Sequence, residues 1–416
     1  MLISFSVTNF RSIYEKQKLT FIATKYSSLS EGLLRAEKIE SGVLPLIAIY
    51  GSNAAGKTNM LRALNFFSSA ISSSHNTWKP EAKIRTDPHF FHADEPTEFE
   101  CKFLFSGEIY RLGFSLNEDR IIEEHLYTGR KLVYKRELDQ YRFGSMMKGF
   151  QSVKRNTRSN ALFVSAAAQN NQPLLKNLHG WFASWNTVTD DRRFEEAFTG
   201  YLMQEGEIRS FLTKAIAIIN PDVIGLEPWA GSIPAESDVQ KRSLAKDHQS
   251  WSRIMFVHQS RDQKQSAKLL LTEESKGTQS YAELAGSILL TLMSGGVLLL
   301  DEADQSLHPT LLRSIVLLFQ RPETNPHKAQ LIFNTHDTSL LVPEVLRPDQ
   351  VWFADRDAQL SSIFFCLADF EGIRSETKAQ RAYLEGRFGA VPFLEEHSKI
   401  FAEELTPKKR PKNAKA

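Results

Sequence analysis

The chain is 416 residues long, 42% hydrophobic and 24% charged, a composition that excludes intrinsic disorder, a collagen-like repeat and a disulfide-stapled miniature fold. Lys plus Arg number 51 against 49 Asp plus Glu, a formal charge of +2, so no bulk field draws the protein to nucleic acid or to a membrane. The two cysteines, Cys101 and Cys366, form neither a CxxC pair nor a framework, which suits a reducing cytosol.

At roughly 150 residues per domain the length admits two or three units, or one domain with a large insertion; the pattern along the chain favours the second. The opening MLISFSVTNF lacks the apolar core of a secretory signal and alternates like a strand. KLTFIAT, from Lys18, reads as its hairpin partner, and LPLIAIY, Leu44 to Tyr50, as a strand buried on both faces. The serines from Ser68 to Ser74 mark a helix end or a linker. Between Glu98 and Arg142, alternating segments separated by SGE, NED and TGR predict an antiparallel meander, a β lobe over about residues 90–145. Leu174, Leu178, Trp181, Phe182 and Trp185, then Phe194, Phe198, Leu202, Phe211 and Ile216, fall at helical spacing. They predict a helical insertion over about 170–252, its last part (230–252) polar and loop-like. An uncharged run between Glu283 and Asp301 is split by Ser294, Gly295 and Gly296, so helix, turn and buried strand explain it better than a membrane span. Residues 1–405 therefore read as one α/β domain and 406–416, with Lys408, Lys409, Arg410, Lys412 and Lys415, as a disordered basic tail. The cytoplasm follows by elimination, with no membrane partner.

The strongest chemical signal is Gly51, Ser52, Asn53, Ala54, Ala55, Gly56, Lys57 and Thr58, which fit GxxxxGK[ST] between a buried strand and the helical run that starts at Asn59. Glycines let the backbone wrap a phosphate, amides and the helix N-terminus stabilise the anion, Lys57 reaches the β and γ phosphates, and Thr58 can ligate Mg²⁺. In VLLLDEAD, from Val297, an apolar strand ends in two acids. Asp301 would hold Mg²⁺ through water and Glu302 polarise the attacking water. QLIFNTH ends in His336 where a γ-phosphate sensor would lie; a strand-end histidine in water is the plain alternative. Ser275, Lys276, Gly277 and Thr278 precede a helical run, where they form either a second anion site or an ordinary helix cap.

In this order the motifs resemble those of ABC-type ATPases of the SMC and RecF kind. Within that class they look most like the short AAA-labelled ATP-binding proteins of bacterial abortive-infection and phage-defence operons, the RloA-like group. The resemblance rests on NFRSI, GSNAAGKTN, ESKGT, LLLDEADQSLHP, FNTHD and YLEGRFGAVP, spread over nearly the whole chain. It implies an ABC-ATPase head: a mixed sheet carrying the phosphate loop, an antiparallel β lobe and an inserted helical lobe. Gly51 to Thr58 would be the Walker A loop, Asp301 and Glu302 the end of Walker B, and His336 the switch histidine. Ser275 to Thr278 would be a divergent signature, with Ser275 and Gly277 facing the nucleotide of another subunit and Lys276 standing where a small residue is usual. Ala303 opens the D-loop. Arg11 would lie near the nucleotide, and Gln169, with Gln172 close by, would be the glutamine-loop ligand of Mg²⁺ following a strand in ALFVSAAA. YLEGRFGAVP, Tyr383 to Pro392, could be packing turns or a partner surface.

The resulting expectation is an ATPase using ATP and Mg²⁺ that dimerises around ATP, or forms a higher homo-oligomer, and controls a separately encoded effector. The resemblance points to a nuclease as that effector and to phage or DNA as the trigger. Asp337, Asp349, Asp355, Asp357 and Asp369 lack a supporting motif, so no nuclease activity is assigned to this chain. The competing expectations are a RecF-like DNA clamp, using the cations of Val153 to Arg158 and the tail, and a transporter ATPase, which the long insertion and the missing LSGGQ disfavour.

Overall fold

The computed structural model describes residues 1–188, 205–228, 254–305 and 307–391. The chain opens with β1 (Leu2–Thr8), β2 (Gln17–Thr20), a short hairpin of β3 (Leu34–Ala36) and β4 (Ile39–Val43), then β5 (Leu46–Gly51) and helix α1 (Lys57–Thr77). Five strands follow: β6 (Thr97–Phe105), β7 (Glu108–Leu116), β8 (Ile121–Thr128), β9 (Lys131–Glu137) and β10 (Gln140–Phe143). Next come α2 (Phe163–Gln169), α3 (Pro173–Ala183), β11 (Asn186–Val188), α4 (Gly206–Ile219), β12 (Val223–Pro228), β13 (Ile254–Gln259), β14 (Ser266–Leu270) and α5 (Lys276–Ser294). The described part closes with β15 (Val297–Leu300), α6 (Pro309–Gln320), β16 (Gln330–Asn334), β17 (Val351–Arg356), β18 (Ser362–Cys366) and α7 (Ala379–Leu384).

The central sheet has the order β11-β15-β16-β5-β17-β18. All its pairs are parallel except β17 with β18. Both faces are covered, which is why its strands read as continuous apolar runs. Ile47, Ile49, Leu299 and Ile332 face α1, while Leu46, Ala48, Leu298, Leu331 and Phe333 face α6. A second sheet, β10-β9-β8-β7-β6-β1-β2, is antiparallel throughout and covers the other side of α1. Phe67 marks the junction: its ring stacks on Phe114 at 5.2 Å and meets Phe5 and Phe182 edge-on at 5.6 and 5.5 Å. Burying such a ring contributes about 1.5–3 kcal/mol.

Several expectations need correction in detail. The β lobe recruits the N-terminal strands β1 and β2, so it is not confined to residues 90–145. Ser68 to Ser74 lie inside α1, whose apolar face continues through Ala70 and Ile71. Segment 170–252 is not one helical lobe. α3 packs on the head core, β11 pairs with β15 in the central sheet, and α4 with β12 and β13 builds a small separate core around Leu212, Ile216, Leu226 and Phe256. The aromatic residues Phe194 and Phe198, the polar stretch 230–252 and the basic tail lie outside the described residues. Among the described residues no helix is long and apolar enough to cross a membrane.

Candidate active site

β5, β15, β16 and β17 all point their carboxyl ends the same way, so the loops that leave them converge. Gly51 ends β5, and Gly56 (φ +99°) turns the chain into α1. A Cβ at Gly56 would collide with the hydroxyls of Ser362 and Ser12, so only glycine fits there. Lys57 folds back over the loop, donating to the carbonyls of Gly51 at 2.8 Å and Ser52 at 3.0 Å. Burial lowers its pKa, and the nearby carboxylates of Glu302, Asp304 and Asp301 oppose that shift. Three acids thus gather around the single cation of the loop. Arg356, at the end of β17, donates from Nε to the Ala54 carbonyl at 2.7 Å and braces the loop tip.

Thr58 Oγ1 donates to Asp301 Oδ1 at 2.9 Å. This bond closes the site, because it places a hydroxyl and a carboxylate oxygen within one coordination shell. Mg²⁺ binds through one or two such hard oxygens, substrate phosphates and water, and does not need an all-protein cage. Among the described residues no group of three His, Cys, Asp or Glu could hold a metal. Thr58 and Asp301 would hold the ion, and its charge would draw electrons from the phosphate oxygens.

Asn334, a residue the sequence motifs do not single out, is fully buried at the end of β16. Its Nδ2 donates to Asp301 Oδ1 and its Oδ1 accepts the Glu302 amide. Its only outward signal is an amide two positions before His336, directly after the apolar run Leu331 to Phe333. Glu302 is half-buried in a left-handed backbone conformation, φ +49°. Asp304 accepts from Thr335 Oγ1 at 2.7 Å and from the His336 amide at 3.1 Å, tying the loop after β15 to the loop after β16. His336 is exposed at the site, and desolvation and then Lys57 lower its pKa while Asp304 opposes them.

Arg11 does not touch the phosphate loop. It donates to Asp87 Oδ2 at 2.5 Å, and its neighbour Ser12 accepts from Asn59 Nδ2 at 2.7 Å, so the segment reaches the first turn of α1 through Ser12. Gln169 is not brought to the site. ALFVSAAA forms the helix α2, not a strand, because Glu124, fully buried in β8, accepts the amides of Phe163 and Val164 and caps it. α2 starts beside Ser74 and His75, near the far end of α1. That point lies about 25 Å of helical rise from Lys57, and the seven residues of α2 recover only about 10 Å. Ser275 caps α5, accepting the Thr278 amide at 3.2 Å, and Lys276 donates to Gln279. Among the described residues no hydrogen bond joins Ser275 or Gly277 to the chain's own phosphate loop.

The late motif packs beneath that loop. Tyr383 stacks on Phe353 at 5.3 Å and meets Tyr50 edge-on at 5.8 Å, Phe388 stacks on Phe353 at 5.5 Å, and the Ala390 amide donates to Asp355 at 3.1 Å. Of the proposed DNA-contacting cations, Arg158 is committed to the carbonyls of Ser74, His75 and Trp78. The five aspartates beyond His336 also make local contacts. Asp349 pairs with Arg347, while Asp337, Asp355, Asp357 and Asp369 accept backbone amides.

Residues 46–342 match the family model described as "AAA domain, putative AbiEii toxin, Type IV TA system". No curated protein matches the chain. Among solved structures, the SMC head bound to the C-winged helix domain of ScpA aligns over 88% of this chain and 97% of its own, with 12% identity and a TM-score of 0.43.

Proposed function

Since the chain belongs to the AbiEii-type AAA domain family, we propose that it binds ATP with Mg²⁺ and hydrolyses it. The observation that carries this reading is the Thr58–Asp301 hydrogen bond, which joins the two motif halves into one metal-ready pair. Lys57 and the loop amides bind the β and γ phosphates, and Mg²⁺ supplies charge neutralisation when bound. Glu302 accepts a proton from the attacking water, and His336 contacts the γ phosphate from the opposite loop. Phosphate release by the wild-type chain, lost in Lys57→Ala, is the expected result. Equal release by both would refute this assignment.

The product of the cycle is a conformational change. Ser275 and Gly277 of one subunit face the nucleotide of another, so ATP joins two copies and hydrolysis separates them. Ser275 and Gly277 stand at the N-terminus of α5, where the helix dipole favours an anion, which supports this pairing. The family's toxin–antitoxin description supports placing the switch in phage defence, where it controls a separately encoded effector, a nuclease.

A further inference from the structure

We infer that Asn334 is a positioning residue that sets both acids of the site, Asp301 for the metal and Glu302 for water. The inference rests on the ATPase reading. Asn334 sits at the last position of β16, buried completely, and its two polar ends face two different tasks. The amide nitrogen donates to Asp301 Oδ1, the same oxygen that accepts from Thr58, and lies 3.4 Å from the Thr58 hydroxyl. Two donors on one carboxylate oxygen fix the rotation of that carboxylate and leave Oδ2 outside these bonds.

The amide oxygen accepts the backbone N–H of Glu302. That residue holds φ +49°, a region that costs a non-glycine residue roughly 1–2 kcal/mol and persists only where the surroundings impose it. Two contacts from β16 impose it here: the Asn334 side chain on Glu302, and the Asn334 carbonyl accepting the Ala303 amide at 3.0 Å. The side chain of Glu302 therefore leaves the strand end in a direction that β16 dictates. An ordinary buried asparagine would need only to be satisfied. This one needs a donor and an acceptor at once on two separate atoms, and the carboxamide presents them on its nitrogen and its oxygen.

Two variants test this. Asn334→Ala removes both bonds, and turnover should fall about 10- to 100-fold, as for other residues that orient metal ligands. Calorimetry should show weaker Mg²⁺-dependent ATP binding and unchanged binding in EDTA. Asn334→Asp is nearly isosteric and keeps the acceptor for Glu302, but sets a second carboxylate against Asp301. The introduced carboxylate repels Asp301 instead of donating to it, so Mg²⁺-dependent ATP binding should weaken while binding in EDTA is unchanged. A merely structural asparagine predicts no such change. Turnover and Mg²⁺ dependence within about twofold of wild type in both variants would overturn the role. Hydrolysis by the wild-type chain tests the ATPase reading separately, and the binding arm decides Asn334 without it.

Discussion

Thr58 and Asp301 stand 243 residues apart in the chain and meet through one hydrogen bond of 2.9 Å. The central sheet brings them together, because β5 and β15 are parallel strands with β16 between them. Asp301→Ala would leave the Thr58 hydroxyl and the Asn334 amide without their acceptor. A loss of about 1–3 kcal/mol in denaturant unfolding is expected, together with loss of the Mg²⁺ dependence of nucleotide binding. Retained Mg²⁺ dependence would separate Asp301 from the metal.

Glu302→Gln keeps the shape and the backbone contact with Asn334 but loses the carboxylate that would accept a proton from the attacking water. ATP binding by calorimetry should match the wild type, and phosphate release should slow by roughly 10²–10⁴-fold. Wild-type turnover would remove Glu302 from the chemistry.

His336 titrates below the ordinary imidazole value, through desolvation first and the Lys57 charge second. Between its own pKa and about 6.5 the unfolded chain takes up a proton that the folded chain does not. Its contribution to stability is therefore complete above about pH 6.5 and is lost as pH falls toward the folded value. An NMR titration should place His336 below free histidine, and Lys57→Ala should move it upward. A value that Lys57→Ala leaves unmoved would contradict the proximity of the two groups.

Arg347 and Asp349 form a buried pair bonded at 2.9 and 2.8 Å, and Asp349 also accepts the amide and hydroxyl of Thr24. Asp349→Ala leaves a buried guanidinium uncompensated, so unfolding should become easier by about 3–5 kcal/mol. Replacing both residues by apolar ones should cost less. An Asp349→Ala chain as stable as the wild type would show that the carbonyls of Thr24, Tyr26 and Ser28 satisfy Arg347 alone.

What was legible in the sequence and what was not divide along physical lines. β5, the phosphate loop and α1 were readable because a doubly buried strand and a glycine loop leave local marks at fixed spacing. The meander from β6 to β10 was readable because one of its faces is polar, so alternation survives. ALFVSAAA reads as a strand yet forms a helix from Phe163, because a short apolar run carries no period that separates the two. The capping Glu124 lies 39 residues earlier. β11 is three residues long, and it is a strand only because β15 lies beside it. Asn334 leaves almost no local mark, since its role comes from two loops that only the folded sheet brings together. Gln169 was placed by analogy of order along the chain, and the position of α2 does not follow from that order.

A shared ATP site predicts that two inactive variants restore each other. Gly277→Asp would set a carboxylate against the γ phosphate bound by another subunit and should abolish hydrolysis, while its own phosphate loop still binds ATP. Lys57→Ala should be inactive for the opposite reason, since it lacks the cation of its own phosphate loop. Mixing the two leaves one site per heterodimer with both defects and the other with neither. Phosphate release from the mixture should recover part of the wild-type rate, although neither variant turns over alone. Hydrolysis at the wild-type rate by Gly277→Asp on its own would make Ser275 to Thr278 a helix cap and nothing more, and would contradict the ATP-joined dimer.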